Sequence, residues 1–213
     1  WLGVRIQVVT EEIAEVEKLD TPRGALVASV AEKSPSSKAG IKAGDIILEF
    51  NGTKIKEMKE LPKIVAQTEV GKIVNVKVWR NKKEITKKIK LGRLETSEDF
   101  SDDDKKTETI KEPEITEIKS LKIEARILTK KDIAERKIPN QTTGLVITSI
   151  DVDSPVNYLK INDIIIEAQK KKIRSAKDLE FIVESVLKSS EKTILIVIYN
   201  NQNQRRYIGV KLD

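Results

Sequence analysis

At 213 residues the chain has room for one large domain or two of about 100 residues each. Its composition, 38% apolar and 35% charged with only 4% aromatic, is that of a globular chain whose cores must be built from Ile, Leu and Val. The absence of Cys and His excludes disulfides, thiolate chemistry, His-ligated metals and a Ser-His-Asp triad, and a net charge of +6 from interleaved acidic and basic residues draws anionic partners only weakly.

In chain order, Leu2 to Val9 alternates apolar with mixed residues and predicts a strand, and Glu11 to Lys18 predicts a short helix. Gly24 to Val30 and Asp45 to Phe50 are apolar runs bounded by turn residues, hence strands. Between them, Ser34-Pro35 starts a short helix with Pro at its first position, and Ala39-Gly40 closes it. Gly44 supplies a tight turn before Asp45, whose carboxylate is expected to satisfy backbone N–H groups at that turn. From Glu57 to Gln67, Met58, Leu61, Ile64 and Val65 fall at helical spacing, and Pro62 sits early enough not to break the helix. Val74 to Val78 and Ile85 to Leu91 alternate with period two and are joined by a turn at Arg80 to Lys83.

The same series then recurs. Gly24-Ala25-Leu26-Val27-Ala28-Ser29-Val30 returns as Gly144-Leu145-Val146-Ile147-Thr148-Ser149-Ile150, and Ser34-Pro35 as Ser154-Pro155. Asp45 to Glu49 matches Asp163 to Glu167, Leu61 and Val65 match Leu179 and Val183, and Val76 to Trp79 matches Ile196 to Tyr199. Two copies of one domain are therefore expected, residues 1–94 and 120–213. Residues 95–119 between them are acidic, Thr- and Ser-rich and too poor in large apolar residues to fold alone; they read as a linker, with Ile115 to Ile118 extended against a domain. The fold class expected is mainly β (α+β), each copy a small, partly open barrel or sandwich of five or six strands capped by two or three short helices.

The opening loop carries the candidate site. Successive N–H groups of Leu2, Gly3 and Val4, after Trp1, can converge on a carboxylate as an anion-binding nest, and Gly3 permits an approach that a Cβ would obstruct. The strand that follows, with Arg5, Ile6 and Gln7, would leave an edge open to an extended peptide. Leu2, Val4 and Ile6 would face the groove, with Leu61 and Val65, and Pro62 or Ile64, as its helical wall. In the second copy the matching loop is Leu121-Lys122-Ile123, where a Lys replaces the glycine, and Asn162 replaces Gly44. That loop is expected to be the weaker one and the second copy the more architectural.

The run SPSSKAGIKAGDIILEFNG (Ser34 to Gly52), followed by a helix and VKVWRNKKE, resembles the bacterial form of the PDZ domain. More narrowly it resembles the first PDZ domain of the HtrA/DegP (Do-like) periplasmic serine proteases, and the whole chain resembles their two PDZ domains without the protease domain. The resemblance implies a non-catalytic, peptide-binding part of a serine endopeptidase in envelope protein quality control. It implies peptides or unfolded apolar segments as ligands, the parent's protease domain as a partner, homo-oligomers in the full-length parent, a periplasmic location, and no cofactor or metal. The alternative is a tandem PDZ scaffold not attached to a trypsin-like protease, or one from another envelope protease. Catalysis by this chain is not expected, since no Ser sits in a G-x-S-x-G elbow. Nucleic-acid binding through Lys87-Lys88-Ile89-Lys90 or Lys170-Lys171-Lys172-Ile173-Arg174 is disfavoured, because lysines alternating along a strand mark its solvent face and few aromatics are present to stack bases. The longest apolar run, Ile194 to Tyr199, is far short of the roughly 20 residues that span a bilayer, and the absence of a signal-peptide pattern fits a mature fragment.

Overall fold

The computed structural model describes residues 1–93 and 113–212, which fall into two compact units, each with its own core. The first contains β1 (Val4–Val8), α1 (Glu11–Glu17), β2 (Ala25–Val30), α2 (Pro35–Lys38), β3 (Ile46–Phe50), β4 (Thr53–Lys54), α3 (Glu60–Ala66), β5 (Ile73–Arg80) and β6 (Lys83–Lys90). The second contains β7 (Ile115–Ile118), β8 (Ile123–Ile127), α4 (Lys130–Arg136), β9 (Leu145–Ile150), β10 (Ile164–Ala168), β11 (Lys171–Lys172), α5 (Ala176–Leu187), β12 (Thr193–Tyr199) and β13 (Arg205–Lys211). Among the described residues no helix is long and apolar enough to cross a membrane.

Each unit is built on one antiparallel sheet. The strand order is β1-β2-β3-β5-β6 in the first, with β4 on β3, and β7-β8-β9-β10-β12-β13 in the second, with β11 on β10. Without β7 the two orders are the same, and even the irregularities recur: the register slips between Arg5 and Ile6 in one unit and between Glu124 and Ala125 in the other. The repeated glycines have one cause. A Cβ on Gly24 or Gly144 would lie 2.6 or 2.4 Å from the carbonyl oxygen of Ile47 or Ile165, so the chain crosses the neighbouring strand too closely for any side chain. Asn162, at φ 71°, takes the left-handed place that Gly44 holds at φ 93°.

Local chemistry sets the ends of the helices. Thr10 accepts from the Ile13 N–H to cap α1, and Thr129 with Asp132 forms a capping box on α4. Asp132 also takes both ends of the Arg126 guanidinium, at 2.7 and 2.8 Å, and that pairing holds its carboxyl far below the usual range. Ser34 caps α2 by accepting from the Ser37 N–H. The second unit makes turns where α2 stood, and there the Ser154 hydroxyl donates to the Leu121 carbonyl at 2.6 Å while accepting from the Val156 N–H. Asp45, 1% exposed, accepts from the Lys42 N–H and from two nitrogens of Arg80, which is a structural role.

Candidate functional site

The loop before β1 is held by its carbonyls. Leu2 O accepts from the Ser36 N–H at 3.0 Å, Gly3 O from the Ala31 N–H at 2.8 Å, and Trp1 O from the Gly92 N–H at 3.2 Å. Among the described residues the N–H groups of Leu2 and Gly3 donate to nothing. Gly3 sits at φ 77°, and a Cβ there would lie 2.2 Å from Ser34 Cβ and 3.1 Å from the Trp1 ring. The glycine is thus required by the close approach of the α2 N-cap, and the positive φ it permits keeps the loop's donors free.

Hydrogen-bond alternation then decides what β1 offers. Because Gly3 O bonds to Ala31 and Val4 stands opposite Val30, the polar backbone groups of Arg5 turn toward β2. Those of Val4 and Ile6 turn the other way, toward the edge of the sheet, where β1 is the terminal strand. The side chains of Val4 and Ile6 pack on the core yet stay half-buried, as do Ile64 and Val65 of α3 in the same cluster. Val4 and Ile6 thus form an apolar lane along a backbone edge of β1 that is unpaired among the described residues, and Ile64 and Val65 of α3 lie half-buried on the same cluster. Glu60 fixes the start of that helix by accepting from the N–H groups of Lys56 and Glu57, which also lowers its own pKa.

The expected site residues divide accordingly. Val4 and Ile6 lie along the edge of β1, and Ile64 and Val65 are half-buried on the same cluster; Leu2 and Leu61, 5% and 2% exposed, are buried within the core. Arg5 and Gln7 alternate to the opposite face of β1, Arg5 exposed and Gln7 half-buried. Trp1 is half-buried beside Gly3 and Gly92. Pro62 is exposed. What residue-level reasoning missed is the clasp formed by Ala31, Ser34 and Ser36; the Ser-Pro pair that announced a helix start was its signal.

The second unit differs at the same place. Lys122 adopts φ 51° as the cap of a short 3-10 turn, Lys119–Leu121, and its N–H donates to Lys119 O at 3.2 Å. Its carbonyl accepts from the Asp151 N–H, as that of Gly3 does from Ala31, so Ile123 and Ala125 turn their backbone groups away from β9. There they meet β7, which pairs Ile118 with Ile123 and Thr116 with Ala125. The segment read as extended against a domain is therefore a strand of this sheet, and Leu121 and Ile123 are buried in the core beneath it.

The sequence is similar to known proteins along most of its length. The family model of the PDZ domain matches residues 1–91. A protein named "Probable periplasmic serine endoprotease DegP-like" from Rickettsia conorii is 38% identical over 200 residues, 92% of this chain and 39% of that protein. Its namesake from Bartonella henselae is 31% identical over 214 residues, the whole of this chain and 40% of that protein. A solved structure, "HtrA-type protease AlgW with decapeptide", is 29% identical, covers 43% of this chain and 28% of its own, and has a TM-score of 0.40. The chain spans about two fifths of the length of the two relatives. Residues 1–91 are a PDZ domain, and the chain, with a second unit on the same sheet order, is related along nearly its whole length to the DegP-like serine endoproteases.

Proposed function

We propose that this chain is the peptide-recognising, non-catalytic part of an HtrA/DegP-type serine endopeptidase working in the periplasm, and that recognition resides mainly in the first unit. The observation that carries this is the pairing of half-buried apolar side chains with a β1 edge that is open, and two loop N–H groups that donate to nothing, among the described residues. An extended peptide would join β1 through the backbone groups of Val4 and Ile6. Its apolar end would lie over Val4, Ile6, Ile64 and Val65, and its terminal carboxylate would take the N–H groups of Leu2 and Gly3. Binding would be weak, about −8 kcal/mol for a micromolar complex. In a longer parent, capture at this edge would bring unfolded segments to a protease domain and several chains would add avidity.

Fluorescence polarisation of apolar C-terminal peptides, as free acid and as amide, tests the reading. The acid is expected to bind at least about tenfold more tightly than the amide, a difference of about 1.4 kcal/mol. Ile6→Lys, a substitution on the edge lane, is expected to abolish both. Equal affinity for acid and amide would remove the loop as an anchor, and absence of binding by either would remove the function.

A further inference from the structure

Four matched positions differ in exposure between the units. Val4, Ile6, Ile64 and Val65 are half-buried, whereas their counterparts Ile123, Ala125, Ile182 and Val183 are buried. The cause is β7. It lies antiparallel on the edge of β8, touches α5, and buries Ile118 completely in the cluster that holds Ile123, Leu179, Ile182 and Val183. At its end the chain passes through Lys119–Leu121 straight into the Leu121-Lys122-Ile123 loop, the place where a free carboxylate would sit in the first unit. The Glu180 carboxylate of α5 accepts from the Ser120 N–H and ties the turn down.

We propose that the groove between β8 and α5 is a second peptide site, held shut by the chain's own Ile115–Ile118 acting as a bound peptide, with Ile118 as its terminal apolar residue. This rests on the same strand-addition reading as the first unit. The ligand class is an extended peptide ending in a β-branched apolar residue, able to displace β7. The lock is shallow: β7 has four residues, Ile115 is 57% exposed, and only Ile118 is buried. Two carboxylates, Glu117 and Glu124, stand directly opposite each other across the pair, where like charges weaken a ladder.

The test uses the whole chain and a free hexapeptide of residues 113–118, Pro-Glu-Ile-Thr-Glu-Ile, ending in a carboxylate. Thr116→Pro removes the N–H that pairs with Ala125 and alters no buried side chain, and Glu117→Lys turns the repulsive pair into an attractive one. In Thr116→Pro, hydrogen exchange at the Ile123 and Ala125 amides is expected to accelerate at least about tenfold. The hexapeptide should then shift NMR signals of residues 122–127 that it leaves unmoved in the wild type. In Glu117→Lys, exchange should slow about three- to tenfold. Released amides without peptide shifts at 122–127 would overturn the site. Exchange that neither variant changes would overturn β7 as its occupant, and Glu117→Lys alone decides this if Thr116→Pro does not fold. Shifts at 122–127 with none at residues 2–7 would count against binding in the first unit and leave this proposal standing.

Discussion

Gly3 shows how one residue serves two ends. Its missing Cβ lets Ser34 approach, and its positive φ turns the neighbouring N–H groups away from the protein. Gly3→Ala combines a 2.2 Å contact with an unfavourable backbone region and is expected to cost about 2–4 kcal/mol. Ser34→Gly in the same chain removes the colliding Cβ at the small cost of a weaker cap. The double variant should therefore show a higher urea midpoint than Gly3→Ala alone. A midpoint unmoved by Gly3→Ala would mean that the loop is not clasped as described. The glycine was legible from its place between Leu2 and Val4; that its neighbour is Ser34 was not, because the two are 31 positions apart in the chain.

At the scale of elements, periodicity located nearly every long strand and helix, with ends shifted by a few residues where caps rather than side-chain pattern decide. The two-residue strands β4 and β11 escaped, since Thr53-Lys54 and Lys171-Lys172 carry no alternation to read. The turn between β5 and β6 was expected, and the structure adds its type: Asn81 and Lys82 are both at positive φ, 52° and 61°, as a tight hairpin of right-handed strands requires. Asn tolerates that region and Lys does so poorly. Lys82→Gly is expected to stabilise the first unit by about 0.5 kcal/mol, raising Tm by about 2–4 °C. A lower Tm in calorimetry would contradict the strain assigned to Lys82.

For the whole molecule, each unit closes its own sheet around its own apolar cluster, so each satisfies the requirements of an independent folding unit. A fragment of residues 1–93 is expected to fold cooperatively and to bind the free-acid peptide with a Kd within about twofold of that of the whole chain. A fragment that binds more than about tenfold more weakly would show that the second unit contributes to the first unit's groove.

The sequence by itself determined the repeat and the order of the longer strands and helices, because these rest on local periodicity, turn chemistry and caps, and the run Ser34 to Gly52 carried the family resemblance. It also pointed to the Leu2-Gly3-Val4 loop and the strand after it. Only the tertiary structure decided which groove is open. Val4 and Ile123 are similar apolar residues at the same point of the repeat, and nothing in either segment states what lies beside it. Exposure of a strand edge is set by whether another strand pairs with it, and although Ile115 to Ile118 read as extended against a domain, four residues do not state which edge they join before the hairpin brings them onto β8.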